Sequence, residues 1–346
     1  MSYPDRMPLT THVGSLPYTK VDKAIEVALR FDIPAWPQLP KYKEEGMLWQ
    51  FVQDLPGFDL GKEILITTNS DFEEKLLQFY ETYVEIMENK NYDLLKRFWT
   101  PTYSKTFFPF LEKIKALNPL IVKGQITGPF TLGTALKTQN GENLIFSDEL
   151  RDLIVKFLIV KALAQGYYLK EISPKVIIFI DEPGLSGFGS SGYITLGKEL
   201  VKAMLEEIFE ALHSFELISG IHICANTSWD LVLESSVKII NFDSYSFFDR
   251  LIIYREALEK FLDRKETLLA WGVVPTDQEL LNSTSREELA MKWKKQIEVT
   301  AQILNLDFQE LLKRSLITPT CGMGSLAEET VKKVVDLLNS LKLVFW

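Results

Sequence analysis

The stretch LISGIHICANT, residues 217–227, decides how this chain folds. Its first eight residues are almost entirely apolar and rich in isoleucine, the composition of a strand buried on both faces. Immediately before it, LGKELVKAMLEEIFEALHSF (196–215) carries apolar residues at helical spacing. Immediately after it, WDLVLESS (229–236) reads as a short helix. A buried strand between two helices is one unit of an alternating βα chain.

The same alternation continues outward. VIIFIDEP (176–183) is the strand before. After it come strand VKIINFDSY (237–245) with helix 249–262, then strand TLLAWGVVP (267–275) with helices 285–303 and 307–313. Strand SLITPTCG (315–322) and the closing helix 326–341 end the series. Towards the N-terminus, TTHVGS (10–15) precedes helix 20–30, and IVKGQITG (121–128) precedes helix 147–172. IPAWPQLP (33–40) is the candidate for an eighth strand. The expected fold is α/β: a single (β/α)8 TIM barrel over residues 1–346, with a mostly helical insertion at about 41–118. ILITT (64–68) within that insertion belongs to a small hairpin. Such a barrel takes about 250 residues, and the insertion accounts for the surplus. The competing architecture, an open doubly wound sheet, would carry a dinucleotide glycine fingerprint after the first strand, and none is there. No Gly-, Pro- or Ser-rich linker, near-identical repeat or low-complexity tract divides the chain.

Hydrophobic residues are 46% of the chain and charged residues 25%, as in ordinary globular proteins. The formal net charge of −9 repels phosphate backbones, so no nucleic-acid partner is expected. No apolar run reaches about 18 residues, so no membrane span is expected. The opening MSYPDRMPLTTHVGS lacks a secretion pattern, and two cysteines cannot staple a chain of this size. The expected location is the cytoplasm, with both thiols reduced.

In a barrel of this kind the chemistry sits at the C-terminal ends of the strands. Those ends hold Gly14 and Ser15, Gln125, Asp181 and Glu182, His222 and Cys224, Asp243, Trp271, and Cys321. Both cysteines of the chain fall in this ring. A free cysteine is most often a small buried hydrophobe. Here, however, histidine is only 3 residues in 346, and one of the three stands two before a cysteine. A strand turns residues two apart to the same face, so His222 and Cys224 point the same way. With Cys321 from a separate strand end they make a soft donor set that selects zinc, and three protein ligands leave one position open, as in catalytic sites.

GIHICANT and PTCGMG resemble the zinc site of the cobalamin-independent methionine synthase superfamily. THVGSLP and FIDEP resemble that family's I-G-S-x-P and I-D-E-P segments, in the same order. The HICxNT form is closer to the corrinoid-dependent thiol methyltransferases, whose barrel is related to that of uroporphyrinogen decarboxylase. The resemblance implies a zinc ion held by His222, Cys224 and Cys321, with Asp243 where the methionine synthases carry a glutamate ligand. It implies a small-molecule thiol substrate, homocysteine being the best-known one, with Asp181 holding its ammonium group; coenzyme M or another small thiol is the alternative. The methionine synthases use two barrels to bind their folate donor. One barrel therefore favours a methylcorrinoid donor on a carrier protein.

A coordinating zinc deprotonates a thiol outright, and the thiolate is the nucleophile. Two cysteines and a neutral histidine leave the ion formally uncharged, so a bound substrate thiolate keeps electron density for attack on a methyl group. Ser15 and Gly14 are either a tight turn or a receiver for a substrate carboxylate. Asp181 and Glu182 are either a pair capping a turn or catalytic carboxylates, one with a raised pKa. Gln125 and Trp271 are substrate-binding candidates, although for Trp271, as for Trp36 and Trp49, buried packing competes. His12 and His213 are not read as ligands, and His213 is expected on a helix surface. Two other enzyme classes compete with the methyltransferase. A zinc lyase or hydrolase needs a general base near the metal, and no H-x-E motif or second histidine supplies it. A metal-free decarboxylase of the same barrel superfamily needs an arginine-rich cleft, and the N-terminal segment offers only Arg6 and Arg30. A non-enzymatic zinc module would show four clear ligands.

Overall fold

The structure, a computed structural model, describes residues 8–68 and 70–344, so Arg6 lies outside the described residues. The strands are β1 (Leu9–Thr10), β2 (Phe58–Asp59), β3 (Ile64–Leu65), β4 (Ile121–Thr127), β5 (Lys175–Asp181), β6 (Ile218–Ile223), β7 (Ile239–Phe242), β8 (Leu268–Val274) and β9 (Ser315–Pro319). β2 and β3 form a small antiparallel hairpin. The other seven form one curled parallel sheet in the order β1-β9-β8-β7-β6-β5-β4, which sets the first and last strands of the chain side by side. Apolar residues predominate in β4 to β9 because both faces of the sheet are covered.

The helices are α1 (Val21–Ala28), α2 (Ser70–Met87), α3 (Phe107–Lys115), α4 (Pro129–Ala135), α5 (Asp148–Lys170), α6 (Lys198–Ser214), α7 (Asp230–Leu233), α8 (Ser244–Leu251), α9 (Arg255–Asp263), α10 (Gln278–Ser283), α11 (Arg286–Leu304), α12 (Phe308–Lys313) and α13 (Glu328–Leu341). Local chemistry sets their ends. Ser285 and Glu288 form a reciprocal capping box at the start of α11, and Asn305 closes it in the left-handed conformation (φ 52°). Where one helix was expected over 249–262 there are two, α8 and α9. α4 and α10 were not anticipated.

The sheet has seven strands, and among the described residues a regular eighth is not formed. Residues 33–38 nevertheless bond to both of its edges. Ile33 N–H donates to Thr10 O (2.9 Å) and Gln38 N–H to Gly14 O (3.0 Å). On the other side Trp36 N–H donates to Lys123 O (3.0 Å) and Lys123 N–H to Pro34 O (2.9 Å). Pro34, Pro37 and Pro40 remove a donor at every third residue, so the segment makes isolated bridges and not a ladder.

The section from 41 to 118 contains α2, α3, the β2–β3 hairpin and several 3-10 turns. It packs on the same core as the sheet: Phe79 meets Phe157 of α5 (ring centroids 5.6 Å apart), and Trp99 meets Trp36 edge-on (5.2 Å).

Candidate metal centre and cleft

The inner faces of three neighbouring strands run from apolar to polar in the same direction. On β5 the column is Ile177, Phe179, Asp181. On β6 it is Ile218, Gly220, His222, with Cys224 next. On β7 it is Ile239, Asn241, with Asp243 next. Ile177, Phe179, Ile218 and Ile239 form a separate internal cluster with Ile33, Ile121, Leu268, Ala270 and Leu316. This apolar plug supports a floor of polar side chains at the C-terminal strand ends. Gly220 is dictated by the plug: a Cβ there would lie 2.2 Å from the Phe179 ring.

His222, Cys224 and Cys321 meet on this floor. One ligand atom from each lies within 4.8 Å of the others. Cys224 and Cys321 are free and half-buried, while His222 is buried. The imidazole Nδ1 lies 2.6 Å from Asn241 Oδ1, and the buried Nε2 has no hydrogen-bond partner. A hydrogen bond to Cys321 lowers the Cys224 pKa, and the same contact together with burial pushes Cys321 up. Burial alone would lower His222, but Cys321, Asp181 and Asn241 more than offset it and the value is raised. Two thiols, one unpartnered imidazole nitrogen and access from solvent fit a metal ion with an open coordination position.

The cluster forms part of the wall of a cleft of about 510 Å³. Val13, Ser15, Asp181, Pro183 and Gly322 line it from the strand ends, and Gln38, Pro40, Lys41, Glu45 and Met47 line it from the chain leading into and through the insertion. Asp181 Oδ1 is buried without a partner. Burial pushes the Asp181 carboxyl up to about 6, partly offset by His222 and by Lys123. Lys123 is itself fully buried. It donates to Val13 O (2.7 Å) and Gln125 Oε1 (3.0 Å) and lies over the Phe179 ring, and burial lowers it to about 7. Ser15 packs on the turn after Cys321. A Cβ at Gly322 would lie 2.2 Å from Ser15 Oγ, so a larger residue there would have to displace the Ser15 hydroxyl.

Several residues expected in the site lie elsewhere. Glu182 faces away from the cleft and caps α4, accepting from Phe130 N–H (2.8 Å), Thr131 N–H (2.8 Å) and Thr131 Oγ1 (2.5 Å). Burial pushes it up to about 7 despite these bonds. Adjacent strand residues point to opposite faces, so Asp181 and Glu182 cannot share the cleft. Asp243 is used as the N-cap of α8, its Oδ1 accepting from Ser246 N–H (2.8 Å), and it stands outside the donor cluster. Trp271 is buried between Phe242 and Phe248 and donates to Ser315 Oγ (3.0 Å), away from the cleft. Gln125 lies behind the wall: its Nε2 donates to Trp36 O (2.8 Å) and Gln38 Oε1 (3.2 Å), so Gln38 and not Gln125 meets the cleft. Gly14 serves through its carbonyl, the acceptor for Gln38 N–H. His213 is half-buried, not exposed, and pairs with Ser219 Oγ (2.8 Å). His12 is buried beside Ala35 O (3.1 Å), away from the cluster. Trp36 is buried and Trp49 packs against Phe58.

Sequence reading missed Asn241, Lys123 and the contribution of residues 38–47. Two of these left a signal. Asn241 is the one polar residue in IINF (239–242), and Lys123 is a charge in the middle of IVKGQIT. A polar group in a strand buried on both faces must have a partner.

No protein-family model and no curated protein sequence matches the chain. Among solved structures it is similar to a methyltransferase from Methanosarcina mazei, with 15% sequence identity and a TM-score of 0.47, over 97% of this chain and 94% of the other. Among the described residues, no helix is long and apolar enough to cross a membrane.

Proposed function

We propose that this protein is a zinc-dependent methyltransferase that moves a methyl group onto a small thiol, as its GIHICANT and PTCGMG segments suggest by resemblance. One observation carries the reading: in an open cleft, His222 and two thiols converge within 4.8 Å, and the imidazole keeps one buried nitrogen without a partner. The softness of this donor set favours zinc, held by His222, Cys224 and Cys321. When bound, zinc would supply the Lewis acidity that ionises a substrate thiol near neutral pH.

The chain's own residues then bind and orient the acceptor. Asp181, with a free Oδ1 beside the cluster, receives an ammonium group. Ser15 and the Gly322–Gly324 turn packed against it also line the cleft and receive a carboxylate. Val13, Pro40, Met47 and Pro183 add apolar lining to the same cleft. A homocysteine-like acceptor suits both polar ends. The donor in this reading is a methylcorrinoid on a carrier protein, which rests on the likeness of the HICANT segment to corrinoid-dependent enzymes. The reading also takes the chain as one domain and the seven-stranded sheet as a barrel closed by residues 33–38, supported by backbone hydrogen bonds from that segment to both edges.

The test is metal content followed by thiol-dependent demethylation of methylcobalamin across a panel of thiols. About one zinc per chain and demethylation with an amino-acid thiol are expected. Zinc-loaded protein that leaves methylcobalamin intact with every thiol would refute the proposal.

A further inference from the structure

We infer that Asn241 prepares His222 for metal binding: it fixes which imidazole nitrogen carries the proton, and it ties together the two strands that lead to the ligands. The inference rests on the metal reading above but concerns a residue outside the donor set.

Asn241 is fully buried on β7, directly across from His222 on β6. Its Nδ2 donates to Ala270 O on β8 (2.8 Å) and to Thr318 Oγ1 on β9 (2.8 Å), and its Oδ1 lies 2.6 Å from His222 Nδ1. A main-chain carbonyl can only accept, so the amide nitrogen must face Ala270 and the amide oxygen must face His222. An amide oxygen also only accepts, so Nδ1 must carry the proton. The neutral ring then has its lone pair on Nε2, the nitrogen left without a partner. The tautomer needed for a ligand is thus set before any ion arrives.

The same side chain joins four consecutive strands. β6 carries His222 and leads to Cys224, while β9 carries Thr318 and leads to Cys321 three residues later. Asn241 therefore sets the spacing of the two arms as well as the tautomer. A carboxylate could accept from Nδ1–H but could not donate to Ala270 O, which explains the amide at this position. Asn241 touches no reacting atom and is a positioning residue.

The chain has three histidines, so ring spectra of protein labelled with ¹⁵N-histidine are simple to read. Wild-type protein should show a proton on Nδ1 of His222 in both metal-free and zinc-loaded forms. Asn241→Leu, which removes all three hydrogen bonds at similar volume, should lose that signature. It should also raise the zinc Kd by about 10–100-fold in competition with a chromophoric chelator. Asn241→Asp should keep the Nδ1 proton and bind zinc more tightly than Asn241→Leu. Thr318→Val, which removes only the contact to β9, should keep the Nδ1 proton and weaken zinc less than Asn241→Leu. If Asn241→Leu does not fold, Asn241→Asp, Thr318→Val and the wild-type spectrum decide. A bare Nδ1 in wild-type protein, or a zinc Kd in Asn241→Leu within about two-fold of wild type, would overturn the inference. Wild-type protein that binds no zinc refutes the metal reading instead, so the two failures are distinct.

Discussion

Asp181→Asn removes one negative charge and almost no volume, and the structure predicts opposite effects on stability and on substrate binding. Burial pushes the Asp181 carboxyl up from 3.8 to about 6. A raised acid penalises the ionised folded state. The penalty is absent below the unfolded value of 3.8, grows through the interval, and is fully present above about 6. A shift of about two pH units corresponds to about 3 kcal/mol. In metal-free protein, Asp181→Asn should therefore exceed wild type in stability by up to about 3 kcal/mol at about pH 8, with no difference at or below about pH 4. In binding, the charge is an asset. Its Oδ1 makes no bond within the protein, and in the proposed function it pairs with the ammonium of the acceptor. Losing a charge-assisted hydrogen bond costs about 1.5–3 kcal/mol, or roughly 10- to 150-fold in KM for an amino-acid thiol. A thiol without an amino group should be unaffected, and zinc content should not change. The assays are urea unfolding at the two pH values after chelation, and steady-state kinetics with homocysteine and 2-mercaptoethanesulfonate. Equal KM losses for both thiols, or a variant less stable than wild type at the higher pH, would refute the reasoning.

Cys321→Ser or Cys224→Ser should lose most of the zinc, measured by elemental analysis of protein folded as judged by circular dichroism. Glu182→Ala strips three hydrogen bonds from the start of α4 and should cost about 2–4 kcal/mol in urea unfolding, with zinc retained by the folded protein. Asp243→Ala removes the α8 cap and should cost about 1 kcal/mol without lowering zinc content. A large loss of zinc in that variant would restore Asp243 to the donor set.

The βα alternation was legible because strands as apolar as VIIFI and LISGI have no stable place except in a sheet covered on both faces. The donor cluster was legible for a related reason: His222 and Cys224 stand at strand period on one strand end, and the other cysteine stands at another. What failed was mostly parity. Asp181 and Glu182 are neighbours, so one must turn from the cleft, and Glu182 does. Ala270 belongs to the internal plug, so Trp271 must point outward into the helical layer. Asp243 precedes SYSF at the start of a helix, where an N-cap competes with any ligand role. Residues 33–40 resisted reading because prolines at every third position fit neither strand nor helix, and their pairing is visible only from the two edges they meet.

Asn241 shows the limit of reading one strand at a time. Polar residues in a doubly covered sheet are costly unless every donor and acceptor is used, and Asn241 uses both ends of its amide on three other strands. No spacing within VKIINFD encodes that, because the partners are separated by 19, 29 and 77 residues along the chain. The donors themselves follow a local rule, strand period. The group that orients them follows a register rule, which exists only once β6 to β9 lie side by side. The floor of the cleft is therefore specified twice: by which residues end each strand, and by the strand order that lets one buried amide hold the His222 imidazole and reach the strand that leads to Cys321.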